Sequence, residues 1–273
     1  MNALERWRRE LAGWAIPDEI LAAAPEPPWG FPTELFRTRA ELTPAQPSAT
    51  TRIALEALGT GGDVLDVGVG GGATSLPLAA VATRITGVDE SAEMLAGFLG
   101  SSREAGVEAS TVEGRWPDAS PDAPTAAVVV CGHVLYNVGE LELFVRPLDA
   151  HAHRRVVIEI TSAHPLVWMA DLWRRFHGLE RPTGPSADLG VAAIGELGIE
   201  VRREDEARVP RSGGFERRDD AIAFIRRRLC LRSDRDAELA DALGERLVER
   251  DGLWAAGPLE HRIVTMWWDR PAT

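Results

Sequence analysis

The stretch Val64–Ala73, with the sequence VLDVGVGGGA, decides the fold class of this chain. Its first residues predict a short buried strand. The glycines after it predict a tight turn, in which the backbone can approach a ligand with no Cβ in the way. The spacing Gly68-x-Gly70-x-x-Ala73 also fits a dinucleotide site, and a strand–helix turn without a ligand has the same glycines. The glycines alone therefore leave the ligand open.

Two acids at the ends of consecutive predicted strands narrow the choice of ligand. Asp66 lies two residues before Gly68, where a carboxylate repels a pyrophosphate but suits a ligand with a positive, donor-rich end. Asp89 ends the next predicted strand, the position that accepts ribose hydroxyls in nucleotide-binding α/β folds. As an alternative role, Asp89 could serve as a helix N-cap before Ser91, and this role is compatible with the same position at the strand end. One acid for a ribose and one for an ammonium group predict a nucleoside joined to an amino acid, and that ligand is S-adenosylmethionine.

Short apolar segments alternate with helical ones on both sides of the glycine loop. Strands are predicted over 64–67, 84–88, 108–112, 126–131 and 155–160, and helices over 48–58, 73–82 and 91–105. Continuous β-branched runs are typical of parallel strands covered on both faces, and this alternation indicates an open, doubly wound α/β fold. Further helices are predicted over 164–178, 217–231 and 235–251, and further strands over 199–202 and 261–269. The 3–4 spacing of Leu4, Trp7, Leu11 and Trp14 predicts an N-terminal amphipathic helix.

Composition excludes several kinds of chemistry. All 30 basic residues are Arg, so a P-loop lysine, a Schiff base and the Tyr-x-x-x-Lys pair of short-chain dehydrogenases are ruled out. The formal net charge of −12 argues against a nucleic-acid substrate. The Arg226-Arg227-Arg228 run is interpreted as a solvated helix face. No apolar run approaches a membrane span, no signal peptide is evident and disulfides are not demanded, so we expect a cytoplasmic protein without a membrane partner.

These residues resemble the class I S-adenosylmethionine-dependent methyltransferases. The first motif of that family, an acid followed by x-G-x-G-x-G, is matched by Asp66, Gly68, Gly70 and Gly72, and its second-strand acid is matched by Asp89. The resemblance implies a Rossmann-like sheet of about seven strands, mostly parallel with an antiparallel C-terminal edge strand, plus helical cap elements. It covers residues 48–160 well. Beyond them it rests on the order of the elements.

The resemblance also implies further cofactor-binding residues. Beyond the motif acids and glycines, these are Glu90, Met94, Arg115, Trp116, Cys131 and His133. Arg115 stands where the family more often has Asp, so Trp116 is the candidate for stacking on adenine. The implied cofactor is S-adenosylmethionine, with S-adenosylhomocysteine as the product.

Residues that bind or activate the acceptor are harder to predict from the sequence. Methyl transfer from a sulfonium needs a base only when the acceptor must lose a proton. His133 and His164 are the candidate catalytic residues, each with packing at a strand end or in a core helix as the alternative. The candidate substrate-binding residues, which core packing explains equally, are Trp29, Phe31, Tyr136, Asn137 and Trp168. No metal site is expected.

The sequence thus predicts a single methyltransferase domain over residues 1–273. Its parts are an N-terminal cap segment (1–47), a cofactor-binding core (48–160), a lid insertion (161–195) and the C-terminal part of the sheet (196–273). The predicted reaction is O-, N- or C-methylation of a small-molecule acceptor. A protein methyltransferase, a non-catalytic S-adenosylmethionine-binding module and, less favoured, an NAD(P)-dependent dehydrogenase are the alternatives. The pattern does not distinguish a monomer from a homodimer.

Overall fold

A seven-stranded sheet forms the centre of the molecule. The computed structural model describes residues 1–29, 47–208, 214–250, 252–258 and 261–271. In chain order the sheet strands are β1 (Gly62–Val67), β2 (Ala82–Asp89), β3 (Glu108–Glu113), β4 (Ala126–Gly132), β5 (Ala152–Thr161), β6 (Arg202–Arg208) and β9 (His261–Asp269). A separate hairpin consists of β7 (Leu247–Arg250) and β8 (Leu253–Ala256).

The strand order across the sheet is β3-β2-β1-β4-β5-β9-β6. The pairs from β3 to β5 are parallel, and β9 is antiparallel to both of its neighbours. The predicted, mostly parallel seven-stranded sheet with an antiparallel C-terminal strand is confirmed. The prediction differs in one position: the antiparallel strand lies second from the edge, because the charged strand β6 pairs along its outer side.

Helices cover both faces of the sheet, as a doubly wound fold requires. The helices of the described residues are α1 (Ala3–Ala12), α2 (Asp18–Ala23), α3 (Ala49–Leu58), α4 (Ala92–Glu104), α5 (Leu141–His151), α6 (Ala170–His177), α7 (Ala187–Gly195), α8 (Arg218–Arg228) and α9 (Asp236–Leu243). One apolar cluster joins α3 and α4 to one face of the sheet. A second cluster joins α1, α5 and α7 to the other face. None of these helices is long and apolar enough to cross a membrane.

Several predicted elements have other bounds. The helix predicted over 73–82 is wrong: only the 3₁₀ turn Leu76–Leu78 forms, because Pro77 has no N–H to donate and β2 begins at Ala82. The helix predicted over 235–251 ends at Leu243, and the β7–β8 hairpin follows. The strand predicted over 199–202 begins only at Arg202, because the edge strand is charged and has no apolar run to mark it.

A third apolar cluster lies outside the sheet, and we call the unit built around it the cap. It combines residues 14–29, the 164–182 segment with α6, and the residues between β6 and β9 from 214 onward, with α8, α9 and the hairpin. Leu172, Trp173, Ile225 and Leu239 are among its buried side chains. This division differs from the predicted one, because α7 packs on the sheet while residues 214–258 contribute to the cap.

Candidate active site

The carboxyl ends of β1, β2 and β4 meet at one edge of the sheet, and most of the predicted cofactor-binding residues lie along it. Asp66 is the penultimate residue of β1, and Asp89 is the last residue of β2. His133 directly follows β4. This is the edge at which open α/β sheets bind their ligands.

The glycine loop holds three left-handed residues, with φ of +74° at Gly68, +49° at Gly70 and +84° at Gly72. A Cβ at Gly68 would collide with the Val134 side chain, and one at Gly72 would meet the Leu76 side chain at 2.7 Å. A Cβ at Gly70 would have nothing within 4 Å. Gly68 and Gly72 are therefore needed for packing, whereas Gly70 leaves backbone open to a ligand.

Asp89 fastens this loop to the end of β2. One carboxylate oxygen accepts a hydrogen bond from the Gly70 N–H at 2.9 Å, and the other accepts one from the Ser91 N–H at 3.0 Å. Glu90 beside it is exposed, and Met94 lies half-buried in the first turn of α4. The Asp89 carboxylate is thus held at the open loop, where a ribose would need an acceptor.

Asp66 is a buried carboxylate that lacks a partner in the described structure. It is 1% exposed, and neither carboxylate oxygen has a hydrogen bond of normal geometry. Burial, reinforced by the charge of Asp89, raises the pKa of Asp66 to about 7, although the nearby Ser75 hydroxyl partly opposes the shift. A donor-rich, positive group would satisfy this carboxylate. Asp66, Gly70 and Asp89 therefore fit the amino-acid and ribose parts of S-adenosylmethionine.

Two predicted contacts need correction. The Trp116 indole is 6% exposed, donates to the Phe144 carbonyl at 3.1 Å and meets the His151 ring edge-on, so it packs in the core instead of facing adenine. Cys131 is fully buried, and burial followed by the charge of Asp66 raises the pKa of its thiol well above the usual range. Its side chain stays a neutral core group. Arg115 is exposed at the end of β3.

His133 is the predicted catalytic residue that the structure leaves accessible. Its side chain is 41% exposed, and its φ of +61° is unusual for a residue with a side chain. Nε2 lies 3.0 Å from Oε1 of Glu159, and the His133 backbone N–H donates to the Glu159 carbonyl at 2.7 Å. The ring therefore stands at the sheet edge with a carboxylate behind it.

Glu159 is a site residue that the sequence prediction missed. It is 7% exposed on β5, and its Oε2 accepts a hydrogen bond from Thr50 Oγ1 at 2.5 Å. The Arg208 guanidinium donates to both carboxylate oxygens, at 3.2 and 3.3 Å. Burial alone would raise the pKa of Glu159, but His133, Arg208 and Thr50 hold it well below its usual range. An acid inside the apolar run of β5 was the signal that could have revealed it.

The structure places His164 and Tyr136 in an aromatic stack, away from an open site. The His164 ring is 6% exposed and lies 4.0 Å from the Trp14 ring. Burial and the charge of Arg181 lower the pKa of His164 to about 3. Tyr136 is 6% exposed, stacks on Trp7 at 5.6 Å and donates its hydroxyl to the Thr161 carbonyl at 2.7 Å. Both predictions are corrected, because residues from the N-terminal segment cover the two rings.

The remaining predicted substrate residues are scattered. Asn137 is exposed beside Tyr136. Trp168 is half-buried in the cap, with the Arg246 guanidinium 5.8 Å from its ring centre. Trp29 is 53% exposed at the cap, and Phe31 lies outside the described residues.

The arginine run of α8 is not a solvated face, which corrects the sequence interpretation. Arg226 donates to Asp236 at 2.9 Å, and one of its guanidinium nitrogens lies 3.6 Å from Glu26. Arg227 donates to the carbonyls of Pro27 and Trp29. These contacts fasten the 26–29 segment to α8. Among the described residues, no group of three or more His, Cys, Asp or Glu side chains is arranged to hold a metal ion.

Comparison with known proteins agrees with this geometry. Residues 64–150, about a third of the chain, match a family model described as a methyltransferase domain. No curated protein matches the chain.

Solved structures share the fold at low sequence identity. A Bacillus halodurans protein assigned to the methyltransferases has a TM-score of 0.53 and 16% identity, with coverage of 81% of this chain and 97% of that one. The YjhP protein of E. coli has a TM-score of 0.53 and 13% identity, with coverage of 87% and 99%. The YcgJ protein of Bacillus subtilis has a TM-score of 0.51 and 14% identity, with coverage of 81% and 97%.

The family match spans the strand, the glycine loop and both acids that form the site, and the sheet has the order and strand directions described above. Residues 64–150 therefore form a methyltransferase domain, and the chain shares the fold of the solved structures named above.

Proposed function

We propose that this methyltransferase acts on a small-molecule acceptor, bound between the carboxyl edge of the sheet and the cap. The observation that carries the proposal is the way the cap is attached. The chain enters the cap after Thr161, at the carboxyl end of β5. It enters the cap again after Arg208 and returns at His261, and these two residues pair at the same edge. The cap is thus joined to the sheet where the cofactor residues lie.

The chain's own groups account for cofactor binding. Asp66 would accept from the ammonium end and Asp89 from the ribose hydroxyls, while the open backbone at Gly70 lets the ligand come close. When bound, S-adenosylmethionine supplies a methyl group that is attached to a positively charged sulfur. Once the methyl group has been transferred, the sulfur is part of a neutral thioether. No protonation of the leaving group is required, so the protein acts mainly by holding the acceptor in line with the methyl group.

The first experiment is calorimetric titration of the purified chain with S-adenosylmethionine, with NAD as the parallel ligand. We expect binding of the first and none of the second. Binding of NAD would contradict the proposal and favour the dehydrogenase alternative. Methyl-labelled S-adenosylmethionine then identifies the acceptor. Label in small molecules supports the proposal, whereas label confined to protein, or binding without any transfer, would favour the alternatives.

Asp89→Ala tests the cofactor assignment. We expect it to weaken S-adenosylmethionine binding by about 1–3 kcal/mol, or roughly ten- to a hundredfold, through loss of charge-assisted hydrogen bonds. Glu108→Ala is the matched control, because Glu108 begins β3 at the far end of the sheet and contacts Arg84 at the surface. Equal affinities of the two variants would contradict the ribose assignment.

A further inference from the structure

The two ring nitrogens of His133 have different surroundings. Nε2 lies 3.0 Å from the Glu159 carboxylate, whereas no hydrogen bond is found for Nδ1 within the described parts of the chain. A carboxylate beside Nε2 favours the proton on that nitrogen. The neutral ring therefore keeps its lone pair on Nδ1, and the side chain that carries it is 41% exposed.

Glu159 is held rigidly enough to aim the ring. Thr50 of α3 and Arg208 of β6 bind its carboxylate, and Thr265 of β9 lies behind Thr50 with 2.8 Å between the hydroxyl oxygens. The other charged group in this cluster is Glu206, which accepts a hydrogen bond from Arg208 at 3.0 Å. Two elements, α3 and β6, thus bind one carboxylate, which in turn contacts a single imidazole.

The backbone places this imidazole beside the glycine loop. Gly132 packs so closely on Thr74 that a Cβ there would collide with its hydroxyl, and the Val134 side chain fills the space next to Gly68. His133 lies between these two contacts, in a left-handed conformation that is strained for a residue with a side chain. Strain of this kind is found where the surrounding structure imposes a functional geometry.

We propose that Glu159 is the positioning residue of a carboxylate–imidazole pair, that His133 is the general base through Nδ1, and that the acceptor is a hydroxyl compound. This inference rests on the proposed function. A general base held in place by a carboxylate indicates that the methylated atom is an oxygen. A neutral hydroxyl is a weak nucleophile until its proton leaves, whereas a neutral amine already has a free lone pair.

The hydroxyl proton passes to Nδ1, and the oxygen electron pair forms the bond to the methyl carbon. The pair of the broken carbon–sulfur bond stays on sulfur. The resulting imidazolium is stabilised by the Glu159 carboxylate and then gives its proton to water.

The test follows His133 by NMR, without any acceptor. The ring signals of the six histidines are titrated in the full chain with S-adenosylhomocysteine added, and His133→Asn identifies the signal of interest. Glu159→Gln should move the titration midpoint of that ring to lower pH by about one unit, because the charge beside the imidazolium is gone. Glu206→Gln is the matched control: it removes a carboxylate that accepts a hydrogen bond from the same Arg208 and for which the described residues show no contact with the ring, and we expect a much smaller shift.

An unchanged midpoint in Glu159→Gln would overturn the positioning role. If Glu159→Gln fails to fold, Glu159→Asp decides the question. It shortens the side chain by one methylene and so withdraws the charge from Nε2, which should shift the same midpoint in the same direction by a smaller amount, and an unchanged midpoint there would also overturn the role. Calorimetry separates the two proposals, because absent S-adenosylmethionine binding defeats the proposed function, whereas intact binding with an unmoved midpoint defeats only this inference.

The acceptor class is tested with methyl-labelled S-adenosylmethionine and a panel of phenols and alcohols with their amine counterparts. We expect label on oxygen, and a rate that falls at least about tenfold in Glu159→Gln above neutral pH, where the ring is neutral in both proteins and the variant lacks the carboxylate that orients it, but not in Glu206→Gln. Label on nitrogen or carbon, or on no hydroxyl compound, would overturn the assignment of the acceptor.

Discussion

Asp66 destabilises the protein while no ligand is bound, because its two carboxylate oxygens are buried without a partner of normal geometry in the described structure. Leaving a buried polar group unsatisfied costs on the order of 1–3 kcal/mol. Carboxylates in such positions take up a proton more readily, and the pKa of Asp66 rises to about 7. A cost of this kind is expected of a binding residue, whose partner is supplied by the ligand.

Asp66→Asn should therefore stabilise the ligand-free protein and weaken cofactor binding. The folded pKa of about 7 lies above the unfolded value of about 3.9, so the unfolded chain binds fewer protons between these pH values and stability falls as pH rises through them. At pH 8 we expect urea denaturation to give the Asn variant a free energy of unfolding about 1–3 kcal/mol higher than that of the unmodified chain.

Calorimetry of the same variant supplies the second half of the test. S-adenosylmethionine affinity should fall at least about tenfold, since a charged acceptor for the ammonium end is lost. Loss of stability together with unchanged affinity would mean that Asp66 serves the fold alone.

Among the elements, the connection from β1 to β2 differs most from its prediction. A helix was predicted over 73–82, but the glycine loop and a single 3₁₀ turn make the connection. The chain crosses from β1 to β2 through turns and one 3₁₀ turn, so the close approach to a ligand depends on the three left-handed glycines. Of these, only Gly70 has open space where its side chain would be. The loop therefore has two positions that pack against other side chains and one position that leaves the backbone open.

Gly70→Ala is expected to fold but to bind poorly. Its φ of +49° makes the alanine cost about 1–2 kcal/mol, while the new methyl group enters the ligand's space and should lower S-adenosylmethionine affinity at least about tenfold. Gly97→Ala is the matched control, since Gly97 is exposed inside α4 and also has no neighbour within 4 Å. This control should gain about 0.5–1 kcal/mol of stability and keep its affinity, as measured by thermal unfolding and calorimetry.

At the scale of the whole molecule, contacts between distant segments attach the cap and the N-terminus to the sheet. Trp7 donates to the Val138 carbonyl at 2.8 Å, and Trp14 donates to the Gly184 carbonyl at 2.6 Å. The Arg181 guanidinium lies near the rings of both Trp14 and Trp173, at 5.1 and 4.9 Å. His164 is enclosed by this arrangement, so its protonation is coupled to the stability of the entire assembly.

His164→Phe should make the protein less sensitive to acid. The folded pKa of about 3 lies below the usual value of about 6.5, so the unfolded chain binds more protons between these values and stability is lost as pH falls through this range. Phenylalanine keeps the stack on Trp14 but cannot be protonated.

Urea denaturation at several pH values measures this effect. The unmodified chain should lose more free energy of unfolding between about pH 6.5 and 4 than the Phe variant does. His153→Phe is the control, because His153 is exposed on β5 and, among the residues that the structure describes, has a hydrogen bond to Thr125 alone. Equal pH slopes for the chain and its His164→Phe variant would show that His164 is not held neutral by the fold.

Local patterns in the sequence were sufficient to predict the glycine loop and the strands around it. Strand propensity, the glycines and the two acids act over neighbouring residues, so their consequences could be predicted locally: β1, β2 and β4 lie where the pattern predicted, and Asp66 and Asp89 stand at one edge. The helix over 73–82 was wrong even though it was local, because a single proline and an early strand outweighed the apolar pattern.

The surroundings of His133, His164 and Tyr136 depend on contacts between distant segments and could not be predicted from local patterns. Glu159 contacts His133, Thr50 and Arg208, which are far apart in sequence, and the covering of His164 and Tyr136 depends on tryptophans from the N-terminal segment. The edge position of β6 and the cap made from separate segments are likewise pairings over long chain distances. A local pattern states which residue types are present, but burial, charge pairing and ring exposure arise only when distant segments pack together.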